Sequence, residues 1–155
     1  MRCWLMKSEP DVFSFDDLMR AEGRTTSWEG VRNYRARNFM KEMELGDRVL
    51  YYHSNADPPG VAGVAEVARL AYPDHTARDP SSDYYDPKAT ADKPIWEMVD
   101  IRAVAPLRRF VSLDELKADP RLAAMLVVQK GQRLSVMPVT SEELAVVIEL
   151  GGGLG

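Results

Sequence analysis

Three times along this chain a hydroxyl residue is followed, three positions later, by an acid: Ser14 by Asp17, Ser112 by Glu115 and Thr140 by Glu143. Around each, the residue before the hydroxyl and the fourth one after it are apolar: Phe13 with Leu18, Val111 with Leu116, Val139 with Leu144. A hydroxyl and an acid so spaced satisfy each other's free backbone N–H groups at a helix start, and the apolar pair staples the incoming chain to the first turn. The three boxes predict helices over 15–22, 113–118 and 141–150, the first and last closed by Gly23 and Gly151. Asp119 followed by Pro120 predicts a short fourth helix carrying Leu122, Met125 and Leu126 on one face.

The intervals read as strands. Residues 2–7, 47–54, 61–69, 95–104 and 132–138 are rich in β-branched and aromatic residues and bounded by Gly, Pro, Asp or Asn. Val49 to Tyr52 and Val61 to Ala65 are nearly continuous apolar runs joined through Asn55 to Gly60, which predicts a hairpin. Helices inserted between five strands, without one-for-one alternation, imply an α+β fold: a small mixed or antiparallel barrel with flanking helices. At 155 residues the chain has the size of one domain. Residues 1–150 are taken as that domain, and 151–155 as a Gly-rich C-terminal tail.

Residues 73–94 break the pattern, with four prolines and no periodicity around Tyr84-Tyr85. A loop of this length in a compact domain is either a binding element or a solvated insertion.

Several chemistries lack their residues. Cys3 is the only cysteine, and only His53 and His75 accompany it, too few ligands for a zinc centre and none for an intrachain disulfide. No metal or other cofactor is expected. His53 and Ser54 have no acid at a motif spacing, and Gly60 to Gly63 lie in the hairpin rather than a phosphate loop. No apolar run approaches a bilayer span, so the cytoplasm is expected, with access to the nucleoid in a bacterium or the nucleus in a eukaryote.

The net charge of −4 disfavours bulk attraction to nucleic acid, yet residues 24–41 carry five bases (Arg24, Arg32, Arg35, Arg37, Lys41) against Glu29 alone, a local +4. A helix over 33–43 would put Ala36, Phe39, Met40 and Met43 on one face and Tyr34, Arg37, Asn38 and Lys41 on the other. That basic face suits phosphates, and it equally suits a solvated surface pairing with Glu42 and Glu44. Trp28 sits in the polar approach to this helix, either as a stacking wall for a flat ligand or as a plug closing the barrel. Trp4 and Trp96 fall inside strand patterns, where core packing is expected. Lys7 and Glu9 share a face at the end of the first strand, as an ion pair or as groups addressing a heterocycle edge.

Five segments, residues 4–10, 28–38, 51–55, 84–88 and 96–100, resemble the successive signatures of the EVE domain. That family belongs to the PUA-like superfamily with YTH, ASCH and SRA domains, so the resemblance implies a curved PUA-like barrel of five or six strands. It also implies a non-enzymatic reader of a modified base, chiefly modified cytosine in DNA, held flipped or single-stranded in an aromatic pocket. Lys7 and Ser8 are similar to the lysine-serine beside the base in YTH domains, and Trp28 to their first cage tryptophan. Asn33, Tyr34, Tyr52, Ser54 and Gly63 match the family's distinctive motif and pocket floor, and Glu9 joins the polar groups that would read the base edge. Tyr84, Tyr85 and Trp96 compete for the second wall; Arg32, Arg35, Arg37 and Lys41 would hold flanking phosphates. The alternatives are an ASCH-like amidohydrolase, which would use a lysine, a threonine and a glutamate on an acylated cytidine, and an RNA-binding accessory domain. No threonine stands near Lys7 and Glu9 in the sequence.

Overall fold

A computed structural model describes residues 1–155. All three capping boxes close in both directions: the hydroxyls of Ser14, Ser112 and Thr140 accept from the amides of Asp17, Glu115 and Glu143, whose carboxylates accept in return. They open α2 (Phe15–Arg20), α4 (Leu113–Ala118) and α5 (Ser141–Leu150), while the preceding α1 (Pro10–Phe13) is a single turn that begins on a proline. α2 stops two residues before its predicted end, because Gly23 adopts φ 62° in a 3-10 turn. The helix expected from Pro120 is only a 3-10 turn, Pro120–Leu122, followed by another at Leu126–Val128. Leu122 and Met125 are nevertheless buried, as the apolar spacing requires. α3 (Tyr34–Glu42) buries Ala36 and Met40 and sets Phe39 against Trp4 at 5.9 Å.

The strands are β1 (Cys3–Ser8), β2 (Thr25–Ser27), β3 (Arg48–His53), β4 (Gly60–Pro73), β5 (Glu97–Ser112) and β6 (Val136–Val139). They form one mixed sheet in the order β2-β5-β4-β3-β1-β6, so the fold is α+β with flanking helices. β1 runs parallel to β3, pairing Lys7 with Tyr52 and Ser8 with His53, and every other ladder is antiparallel. β4 and β5 are longer than the predicted strands and change register four times along their shared ladder. Such irregularities bend and twist a sheet, which is how Pro106 fits inside β5 and how the two edges, β2 and β6, approach one another. β2 escaped sequence reasoning because it is three residues long and polar.

The core is a cluster of 33 buried residues that includes Trp4, Phe15, Trp28 and Tyr51. Asp47 lies inside it, accepting from the Trp4 indole at 2.9 Å and from the amides of Arg2 and Glu44. The segment between β4 and β5 folds around a small core of its own, Ala77, Ala89 and Trp96, and is not a solvated insertion. The Gly-rich end is no free tail either. Gly151 and Gly153 accept from the amides of Arg109 and Arg108, Gly155 donates to Pro106, and Leu154 bridges to Leu107.

Candidate nucleic-acid interface

A cleft of about 580 Å³ opens where the C-terminal ends of the parallel pair β1 and β3 meet the two sheet edges. Its size suits a small ligand. β1 contributes Lys7 and Ser8, with Glu9 beyond them; β2 contributes Thr26 and Ser27, and the chain leaving it supplies Trp28 to Arg32. The turn after β3 brings Ser54 and Asn55, the approach to β6 brings Arg133 and Ser135, and the long loop brings Tyr84.

Trp28 is 8% exposed, its amide donates to the Val99 carbonyl at 2.7 Å, and its ring meets Tyr51 at right angles, 5.4 Å between centroids. The ring therefore packs into the core and borders the cleft at once. The indoles of Trp4 and Trp96 donate to Asp47 and Asp86. Trp28 alone keeps an indole N–H without a protein partner, and that atom is not sealed from solvent.

Opposite the tryptophan motif, Tyr84 rests on the backbone of Gly30, where a Cβ would come within 2.7 Å of the ring. Gly30 also has φ 86°, so glycine is required there twice over. Arg32 donates to the Tyr84 carbonyl at 2.7 and 2.9 Å and to Asp74 at 3.0 Å, which fixes the loop to the motif. Asp74 also accepts from the amides of Gly30 and Thr76 and from the Thr76 hydroxyl. Burial pushes this carboxyl up, and the bonds from Thr76, Gly30 and Arg32 outweigh it and hold the pKa below the usual range.

Lys7 has no acidic partner. Glu9 turns away from it and accepts from Asn55 at 2.7 Å, so the anticipated Lys7–Glu9 pair is not formed. The Lys7 ammonium lies 5.7 Å from the Tyr52 ring, and burial lowers its pKa. The Ser8 hydroxyl is committed to the Phe13 carbonyl, whereas those of Ser27, Ser54 and Ser135 have no protein partner. The cleft is thus bordered by a half-buried cation, three hydroxyls without protein partners, and the side chains of Trp28 and Tyr84.

Six of the predicted base-pocket residues border it: Lys7, Ser8, Glu9, Trp28, Ser54 and Tyr84. The others do not. Asn33 caps α3 by accepting from the Ala36 amide. Tyr34 stacks on Trp96 at 4.8 Å, outside the cleft. Tyr52 is buried, Tyr85 is exposed away from the cleft, and Gly63 makes room for the Phe15 ring, which a Cβ would meet at 2.5 Å. Of the basic residues offered for phosphates, Arg32 is spent on Asp74 and Tyr84. Arg37 donates to the Ile95 carbonyl at 2.9 Å, Lys41 lies 3.6 Å from Glu97, and Arg35 covers Phe39. The sequence reading passed over Thr26, Arg133 and Ser135; Thr26 lies two residues before Trp28 on the short polar β2, whereas no local pattern ties Arg133 and Ser135 to Trp28, because only the folded sheet brings them there.

Residues 2–150 match the EVE domain. Thymocyte nuclear protein 1 of Homo sapiens is 41% identical over 163 residues, covering 95% of this chain and 72% of that protein. A crystal structure of a Pseudomonas putida protein superposes with a TM-score of 0.92 at 50% identity, over 96% of this chain and 99% of the other. Human THYN1 in complex with 5-methylcytosine-containing DNA superposes with a TM-score of 0.93 at 41% identity, over 100% of both chains. The chain therefore belongs to the EVE domain family.

Proposed function

We propose that this protein binds DNA carrying a modified cytosine, without chemical turnover, and that the base enters the cleft between Trp28 and Tyr84. The observation that carries this is the likeness, over the full length of both chains, to human THYN1 in complex with 5-methylcytosine-containing DNA. The cleft supports it. A base inside a duplex presents only its edge, so a site with walls on two sides needs a flipped or single-stranded nucleotide. Trp28 and Tyr84 would supply the walls, and Lys7 with the Trp28 indole N–H and the free hydroxyls would address the base edge. The protein would then work wherever DNA is accessible, the nucleoid or the nucleus.

The deciding experiment is a binding screen of matched oligonucleotides, as DNA and as RNA, carrying unmodified, methylated and otherwise modified cytosine and adenine. Preference for a modified cytosine in DNA is the expected result. Equal binding of all members would end the reading, and preference for RNA would promote the accessory-domain alternative.

One observation favours a second reading. Thr26 borders the cleft with Lys7 and Glu9, so the three residue types of the amidohydrolase alternative surround one space although the sequence keeps them apart. Incubation with acylated cytidine separates the two: no consumption over hours is expected, and turnover abolished by Lys7→Ala would replace the binding function with hydrolysis.

A further inference from the structure

Lys7, Arg32 and Arg133 are the three basic residues bordering the cleft, and they differ in what already occupies them. Lys7 is half-buried among the polar groups at the end of β1. Arg32 is consumed by Asp74 and the Tyr84 carbonyl. Arg133 is exposed and has neither a carboxylate nor a carbonyl partner.

The turn that carries Arg133 is built to hold it outward. The Gln129 carbonyl accepts from the Gln132 amide across Lys130 and Gly131, and Gly131 has φ 76°, as the third position of a type II turn requires. The two glutamines anchor the turn. Gln129 donates its side-chain amide to the carbonyls of Ala123 and Met125, and the Gln132 side chain accepts from the Leu134 amide. Lys130 and Arg133, between and after them, are left exposed and unpaired. No acid occurs between Asp119 and Glu142 in the sequence to neutralise them.

We infer that the turn 129–133 is the subsite for the nucleic-acid backbone, with Arg133 and Lys130 holding the phosphates that flank the base in the cleft. This rests on the proposed binding of a modified base and moves the phosphate contacts from α3, which does not border the cleft, to a turn whose Arg133 does. An exposed arginine presents a planar fork of donors to a phosphate, and lysine adds a point charge. Such contacts carry position without base identity.

The test is fluorescence anisotropy on methylated and unmethylated oligonucleotides across a salt series, with the wild type, Lys130→Ala/Arg133→Ala and Arg35→Ala/Lys41→Ala. Lys130 and Arg133 are exposed and make no internal bonds, so the first variant should match the wild type in circular dichroism and melting. It is expected to weaken both oligonucleotides by the same factor. Its slope of log affinity against log salt should be shallower by about 1.4 on a single strand or about 1.8 on a duplex, two contacts' worth. An unchanged slope in this variant overturns the subsite, as does the loss appearing in the α3 variant instead. Absence of any preference in the wild type would overturn the modified-base reading, and the slopes would still report whether the turn or α3 meets the phosphates.

Discussion

Arg32 and Asp74 form an ion pair at 3.0 Å in which the acid is wholly buried and the base keeps 23% of its side-chain exposure. The pair is the joint between the tryptophan motif and the loop that supplies Tyr84. Removing one partner of a buried pair leaves the other charge uncompensated, at a cost of about 3–5 kcal/mol. Asp74→Ala should cost about 3 kcal/mol in urea unfolding, and Arg32→Ala less, because solvent reaches the guanidinium. The Asp74 carboxyl titrates below its unfolded value, so its contribution is complete above about pH 4 and is lost as pH falls through the folded pKa. The Asp74→Ala protein should therefore show less loss of melting temperature on acidification than the wild type.

Gly30→Ala tests the wall directly. The substitution places a methyl carbon at the Tyr84 ring and a side chain at φ 86°, where L-residues cost roughly 1–2 kcal/mol. The expected protein is folded, modestly destabilised, and as weak in oligonucleotide binding as Tyr84→Ala. Tyr85→Ala should bind like the wild type, since its ring lies off the cleft.

Trp28 contributes to both core and cleft, so its two contributions need two substitutions. Trp28→Ala should destabilise by about 3 kcal/mol or more and weaken binding of the preferred oligonucleotide at least ~5-fold, the loss of one stacking wall. Trp28→Phe keeps an aromatic face against Tyr51 but has no indole N–H. Thermal melts and anisotropy on this variant should show most of the stability recovered and only part of the affinity. Full recovery of affinity would show that the N–H takes no part in binding.

His53 gives a second pH dependence. Its Nε2 accepts from the Phe15 amide at 3.1 Å, which only the neutral ring can do, and burial lowers its pKa against the opposing pull of Asp16 and Asp17. A lowered folded pKa means that the unfolded chain takes up the proton first. Stability from this residue is complete above about pH 6.5 and declines as pH falls through the folded value. His53→Gln should flatten the stability profile below about pH 6.5 relative to the wild type, measured by chemical denaturation at each pH.

What was legible in the sequence was what neighbours in the chain decide. A capping box is complete within four residues, and all three appear where Ser14, Ser112 and Thr140 place them. The long apolar strands and the apolar face of α3 were equally local. Asn33 was misassigned for the same reason: a side chain that caps its own helix looks, in sequence, like a free amide beside a tryptophan. Arg32 and Arg37 read as surface charge because their partners, Asp74 and the Ile95 carbonyl, are 42 and 58 residues away. Six of the residues offered for a base pocket border the cleft because they cluster in motifs. Thr26 was not legible, because β2 is too short and polar to read as a strand, and Arg133 and Ser135 were not, because only the bend of β4 and β5 sets both edges of the sheet around one cleft.

The position of β1 between β3 and β6 also dictates an order of events. Cys3 to Met6 pair with Val136 to Val139, so β1 has its second edge covered only by a strand far along the chain. Contacts this far apart in sequence close a large loop and slow folding. On a ribosome, β1 would keep an open edge until β6 has emerged, the condition under which chaperone capture and strand-to-strand association compete with folding. Arg133 and Ser135 lie on the approach to β6, so the cleft is complete only once that edge of β1 is covered.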